Sequence, residues 1–178
     1  MDEDSFWALI AECREQAGSD TELTSRLLFR RLRTLSSVDV VAFVRHWERA
    51  RSSLDSWPVA DAACLLLGLI EEEDLRLIQD WVISFGRGAV VRIARDPDSL
   101  ADLARDARSA RAAWFDEFIT EAHVIATGTW PLGYDPEGPD ELAGGRLDLY
   151  DHAAVEQRFP RLASFRSDHP EFGAAGFD

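Results

Sequence analysis

The sequence contains no lysine, so all 19 of its basic residues are arginines. This absence excludes Schiff-base chemistry on a lysine and the lysine of a phosphate-binding P-loop. Cysteine is almost as scarce, since Cys13 and Cys64 alone occur, each within a helical apolar pattern. Two such thiols fit buried side chains in a reducing compartment better than a disulfide framework.

Long hydrophobic runs are also missing. The longest, AACLLLGLI at residues 62–70, is about half as long as a bilayer span and predicts a buried helix. The first residues, MDED, are acidic where a secretory signal would be basic. We therefore expect a protein without membrane attachment, located in the cytoplasm.

Basic residues are fewer than acidic ones. The sequence has 33 acidic residues and 19 arginines, which gives a formal net charge of −14. Such a surface repels the phosphates of nucleic acids and the anionic headgroups of membranes. We expect no direct binding to nucleic acid. A basic protein or peptide would suit this charge, and electrostatic attraction would speed its capture.

What the sequence does have is apolar residues three and four apart along most of its length, the spacing of amphipathic helices. The 178 residues suit one domain. The pattern predicts an all-α, single-domain bundle of about eight helices within residues 1–167. Prolines and glycines break residues 128–145, which predicts a long irregular loop. A short last helix at about residues 151–159 and a flexible tail at residues 168–178 complete the prediction.

Capping signals separate the predicted helices. Ser19 and Ser36 each open a capping-box pattern, so we expect their hydroxyls to cap the helices that follow. Asp96 followed by Pro97 predicts another helix start, and a further helix is predicted over residues 110–127. Four tryptophans lie at or beside apolar helix faces and are expected in the core: Trp7, Trp47, Trp81 and Trp114.

Several short segments occur in an order typical of one bacterial family. They are FWALI at residues 6–10, WVISFGR at residues 81–87 and DPDSLAD at residues 96–102, with a helix ending at Thr127 and Gly128. In this layout the chain resembles the DUF4240 family from residue 5 to about residue 165. The resemblance implies a helical fold and a bacterial source. The family has no established activity, so the resemblance implies no functional residues.

Two positions depart from the family pattern. Members usually have a Gly-Gly turn followed by Ser-Asp-Asp, whereas this chain has Gly68 and then the acidic run from Glu71 to Glu73. Asp61 stands where a tryptophan is common. A pocket shared by the family at these positions would be altered in this chain.

Motifs for metals and cofactors are absent. The sequence has no Cys-x-x-Cys, His-Glu-x-x-His or calcium-loop pattern, and we therefore expect no metal and no cofactor. His123 follows Asp116 by seven residues, which places both on one helix face. An imidazole held by a carboxylate is typical of a general base and equally of a packed histidine. The lack of a recognisable catalytic set favours a protein that is not an enzyme.

Arg87 follows Gly86 at a helix junction. There a guanidinium and free backbone N–H groups would bind a small anion. Alternatively, Gly86 ends a helix and Arg87 balances the charge of a neighbouring acid such as Asp80. A pocket between helices near Trp81, Arg87 and His123 is therefore the second functional hypothesis, a small enzyme or ligand-binding protein.

Aromatic residues also occur inside the predicted loop, at Trp130 and Tyr134 with Leu132 between them. Loops of this length are usually functional or fold back onto the body of the protein. The cluster therefore either anchors the loop in a groove or forms part of a partner surface. Together with the acidic charge, it favours an interaction or regulatory module that binds another protein or peptide, with a basic partner suiting the charge.

Overall fold

The computed structural model describes residues 1–68, 72–112, 114–131 and 142–169. Within these ranges the chain forms nine α-helices, one long 3₁₀ segment and no strand, which confirms the predicted all-α class. The helices are α1 (Glu3–Ala17), α2 (Thr21–Leu32), α3 (Ser37–Ser52), α4 (Trp57–Leu67), α5 (Glu72–Ile83), α6 (Arg87–Arg95), α7 (Phe115–Thr127), α8 (His152–Arg158) and α9 (Pro160–Asp168), and the 3₁₀ segment is Pro97–Ala112.

The capping predictions hold at one helix and fail by one residue at another. The Ser36 hydroxyl accepts a hydrogen bond from the backbone N–H of Asp39 at 3.2 Å, as predicted for α3. The cap of α2 is Asp20 and not Ser19, because the Asp20 carboxylate accepts from the N–H of Leu23 at 2.8 Å. A carboxylate also interacts favourably with the positive end of the helix dipole.

The 3₁₀ segment begins at Pro97 as predicted but runs through Ala112, so the predicted helix from residue 110 was wrong at its start and α7 begins at Phe115. A 3₁₀ helix has three residues per turn, so side chains three apart lie on one side. Buried residues recur at this spacing in two series, Leu100 with Leu103, and Ala104 with Ala107 and Ala110. The segment packs against α2, α4, α5, α6 and α9.

The core is built around Trp47 and Trp81, both with no exposed surface. The apolar helix α4 is central, as its composition predicts, and most of its side chains are buried. Trp114 contradicts the prediction of a core position, since it is 53% exposed. It precedes the first helical residue of α7 and therefore lies outside the buried stripe of that helix. No helix in the described ranges is long and apolar enough to cross a membrane.

Residues 142–169 pack back onto the first part of the chain. The N–H of Trp57 donates to the carbonyl of Ala143 at 2.8 Å, and the N–H of Leu147 donates to the buried Asp61 carboxylate at 2.8 Å. Burial raises the pKa of Asp61, while the Leu147 bond opposes the rise. Asp61 therefore has a structural role, which is to hold the carboxy-terminal segment.

Helix α8 confirms the predicted short helix near residues 151–159, with Asp151 as its cap. Helix α9 was not predicted, because the helix near residues 151–159 was expected to be the last, and Pro160 instead begins a further helix. Its first N–H groups bind a distant side chain: Asp98 accepts from the N–H groups of Arg161 and Leu162, each at 3.0 Å.

Other predictions lie outside the described residues. They concern Glu71, most of the predicted loop (residues 132–141) and most of the predicted tail (residues 170–178). The division into one domain and a tail therefore stays a prediction.

Candidate functional site

A buried arginine joins three helices. Arg51 of α3 is 4% exposed and Asp80 of α5 is 3% exposed. The Nε and Nη2 atoms of Arg51 donate to the two carboxylate oxygens of Asp80 at 2.6 and 2.7 Å, a bidentate geometry. Nη2 also donates to Asp116 of α7 at 2.5 Å, and Nη1 donates to Glu48 at 2.8 Å. Trp47 completes this Arg51 cluster by donating its indole N–H to Asp80 at 2.8 Å.

The charges of the Arg51 cluster stabilise one another. Burial on its own lowers the pKa of Arg51, but the charges of Asp80 and then of Glu48 and Asp116 outweigh it and hold that pKa above its ordinary value. Burial raises the pKa of Asp80, with Arg51 acting in the opposite direction. Because the Arg51 and Asp80 side chains are buried, we expect the cluster to stabilise the packing of α3 against α5 and α7.

The Arg51 cluster was not predicted, although the sequence contains a pattern that indicates it. Arg51 follows Trp47 by four residues and precedes Leu54 by three, so it occupies a core position in the apolar stripe of α3. A charged side chain at such a position requires a buried partner. That partner is Asp80, and the suggested pairing of Asp80 with Arg87 is wrong.

Arg87 instead lies at the first position of α6 near two acids of α1. Its Nη2 is 3.4 Å from a Glu3 carboxylate oxygen and its Nη1 is 3.7 Å from Asp4, and 57% of its side chain is exposed. It lines a groove of about 240 Å³ between α1, α3 and α6, together with His46 and Arg49. This Arg87 groove offers two guanidinium groups and an imidazole to a small anion.

The other two residues of the predicted pocket are not among those that line the Arg87 groove. Trp81 is fully buried and packs edge-to-face against Phe85, with ring centroids 5.2 Å apart. Its indole N–H has no hydrogen-bond partner among the described residues. His123 is 6% exposed and lies on α7.

The hydrogen bonds of His123 involve the turn that follows α7. Its Nδ1 lies 3.0 Å from the carbonyl oxygen of Thr129, and the Thr127 hydroxyl donates to the same oxygen at 3.1 Å. Gly128 ends the helix with φ of 75°, a left-handed conformation that favours glycine. His123 and Asp116 therefore bind different groups here, and His123 fixes the turn that leads into Trp130.

Along the outer side of α7, two exposed apolar side chains flank two exposed acidic ones. Trp114 and Ile125 are 53% and 54% exposed, and Glu117 and Glu121 between them are exposed as well. Spacings of three and four residues place these four on one stripe. Trp130 follows the helix end and is 67% exposed. We call these five residues the α7 face; Leu132 and Tyr134, predicted beside Trp130, lie outside the described residues.

The α7 face combines the two kinds of contact that recognise an amphipathic peptide. Large aromatic side chains provide much of the binding energy at protein interfaces. Carboxylates beside them attract a cationic partner and set its orientation. Thirteen helical residues extend for about 20 Å, enough for several turns of a partner helix.

No group of three or more His, Cys, Asp or Glu side chains in the described part of the chain could hold a metal ion.

Comparison with known proteins gives one match. A family model described as "Protein of unknown function (DUF4240)" matches residues 1–125. No curated protein and no solved structure matches the chain. The match includes the Arg51 cluster and the helical part of the α7 face, and it ends before Trp130 and the carboxy-terminal segment.

Proposed function

This chain belongs to the DUF4240 family of proteins of unknown function, and we propose that it is a non-enzymatic interaction or regulatory module that binds a basic protein or peptide. The observation that carries the proposal is the α7 face, where exposed apolar side chains flank two glutamates. A cytoplasmic location is part of the proposal, and the buried free thiol of Cys13, with a pKa raised to about 11, suits it.

The partner that fits this face is a basic, amphipathic helical segment. Single exposed apolar residues are ordinary on a protein surface, but here Trp114 and Ile125 lie on one stripe with two carboxylates, and a third large apolar residue, Trp130, is exposed shortly after the end of the helix. An apolar partner side chain would cover Ile125 and the tryptophans, while arginines or lysines would reach Glu117 and Glu121. The net charge of −14 adds long-range attraction for such a partner.

A synthetic 18-residue helical peptide with leucines on one side and arginines on the other tests this proposal. We expect the protein to bind it at low salt and to bind more weakly as salt screens the charges. Trp130→Ala should weaken binding about tenfold or more, because aromatic anchors dominate such interfaces. Glu117→Gln with Glu121→Gln should weaken it roughly fivefold. Fluorescence anisotropy of the labelled peptide measures both effects.

The matched control is Glu15→Gln with Asp168→Asn, which removes the same charge from exposed positions on α1 and α9. Binding by this variant should stay within about twofold of wild type, because distant exposed charges are screened. Equal binding by the control and the α7 variants would contradict the proposal. So would equal binding of a scrambled peptide that has no apolar side.

Small-anion binding in the Arg87 groove is the second candidate function. It is favoured by the convergence of Arg49, Arg87 and His46 on one groove. Any anion would have to displace Glu3 from its contact with Arg87 at 3.4 Å, and that exposed ion pair stabilises the fold by at most about 1 kcal/mol.

Inorganic phosphate is the probe for this second candidate. Phosphate should raise the melting temperature of the wild type above its value in chloride at equal ionic strength, since a ligand that binds the native state stabilises it. Arg87→Gln should abolish that rise, while Arg45→Gln on the exposed side of α3 should leave it unchanged. A rise that persists in Arg87→Gln would exclude the groove as the site.

A further inference from the structure

Arginines form an exposed stripe on α2, the helix that packs beside α7. Arg26, Arg30 and Arg33 are exposed and are spaced by four and three residues, which places them on one side of α2. Glu22 pairs with Arg26 at 2.5 Å, so this α2 stripe keeps an excess of positive charge. Leu23, three residues before Arg26, is 38% exposed. The outer side of α2 is therefore basic and partly apolar, in a protein whose net charge is −14.

Two stacked phenylalanines join the α2 stripe to the α7 face. The rings of Phe29 on α2 and Phe118 on α7 have centroids 5.1 Å apart, and both side chains are half-buried. The guanidinium carbon of Arg33 lies 5.6 Å from the Phe29 ring centroid. Phe118 precedes Glu121 by three residues and Ile125 by seven, so it lies on the same side of α7 as these residues. The α2 stripe and the α7 face are thus neighbouring parts of one surface.

These two parts are complementary in charge, so the surface as a whole is complementary to itself. A rotation of 180° about an axis parallel to the line where α2 and α7 meet places the α2 stripe of one copy opposite the α7 face of another, and does so twice. Arg30 and Glu117 each lie one residue from the stacked rings, so they are level along this line. Apolar side chains of both parts, such as Leu23 and Ile125, would leave water in the same contact.

We propose that the surface across α2 and α7 binds a second copy of this chain, with α2 of each copy covering the α7 face of the other. This inference rests on the proposed function, since it names α2 of a second copy as one basic amphipathic segment that the α7 face binds. Two helices about 20 Å long with axes about 10 Å apart present roughly 400 Å². Each partner in a standard interface buries about 800 Å², so the dimer is weak and reversible.

Sedimentation velocity at an ionic strength of about 0.15 M tests the inference, because interactions over more than about 8 Å are then screened and the net charges of two copies repel little. We expect the sedimentation coefficient to rise from that of a monomer to that of a dimer between about 1 and 500 µM. Arg30→Glu with Arg33→Glu should weaken association about tenfold or more, and so should Glu117→Arg with Glu121→Arg. Each pair of substitutions places like charges opposite one another in both halves of the dimer.

An equal mixture of these two variants is the sharpest measurement. In a mixed dimer the charges are opposite again at both contacts between α2 and α7, so the mixture should associate about as well as the wild type. Restored association would also show that both variants are folded. The matched control is Arg95→Glu with Arg158→Glu, which reverses two exposed arginines on α6 and α8 and should stay within about twofold of wild type.

A wild type that stays monomeric up to about 500 µM would overturn the inference. It would also be overturned if the charge reversals left association unchanged, or if the mixture associated no better than either variant alone.

The amphipathic peptide separates this inference from the proposed function. Arg30→Glu with Arg33→Glu leaves the α7 face intact and should still bind the peptide, and the peptide should dissociate the wild-type dimer. A monomeric wild type that binds the peptide would contradict the dimer alone. A dimer whose α7 face does not bind the peptide, even in the monomeric Arg30→Glu with Arg33→Glu variant, would contradict the proposed function alone.

Discussion

Replacing Arg51 with methionine is expected to lower the free energy of unfolding by about 3–5 kcal/mol, the usual cost of removing one member of a buried ion pair. The substitution would leave the Asp80 carboxylate 3% exposed and without its bidentate partner. Small domains are stable by about 5–15 kcal/mol in total, so this loss would be a large part of the whole. Urea denaturation followed by circular dichroism measures it.

The control for this prediction is Arg45→Met, which removes an exposed arginine from the same helix and should change stability by less than about 0.5 kcal/mol. The double variant Arg51→Met with Asp80→Asn should be more stable than Arg51→Met alone, because it removes the unpaired buried charge. If Arg51→Met were as stable as Arg45→Met, the Arg51 cluster would not stabilise the packing of α3, α5 and α7, and the prediction would be wrong.

The second large effect is expected from Asp98→Ala. The carboxylate of Asp98 is 6% exposed and accepts hydrogen bonds from the N–H groups of Arg161 and Leu162 at the start of α9. Hydrogen bonds to charged groups contribute about 1.5–3 kcal/mol each, so losing both should cost about 3–6 kcal/mol. Hydrogen exchange of the two amides should speed up, since they would have no acceptor in the folded protein.

Asp102→Asn provides the comparison, because Asp102 also contacts α9, through the side chain of Arg161, but is exposed. Exposed ion pairs contribute at most about 1 kcal/mol, so this variant should retain slow exchange at Arg161 and Leu162. Equal exchange rates in Asp98→Ala and in the wild type would show that α9 does not depend on this cap.

The α7 face illustrates how far periodicity alone can be taken. Phe115 and Ile119 are four residues apart and both are buried, as the spacing of a helix with one inner side requires. Trp114 was expected beside an apolar face, yet it is exposed, because it precedes the first helical residue and lies on the outer side with Glu117 and Glu121. Spacing alone therefore did not show which side of the helix Trp114 occupies.

His123 shows a different limit. Its position on the inner side of α7 with Asp116 follows from the seven-residue spacing, but spacing does not reveal which groups the two side chains meet. Asp116 binds Arg51 of α3, and His123 binds the carbonyl of Thr129 in the turn after the helix. Two residues on one helix face thus have separate partners.

By itself, the sequence determined the all-α class, the starts of α3 and of the 3₁₀ segment, and the acidic net charge, because these depend on residues a few positions apart and on composition. Tertiary structure alone decided the partners of Arg51, which lie 29 and 65 positions away, and the start of α9, whose cap lies 63 positions before Arg161. A buried charge or N–H group must find a partner when water is excluded. Which distant residue becomes that partner depends on how the helices pack, and local spacing does not encode it.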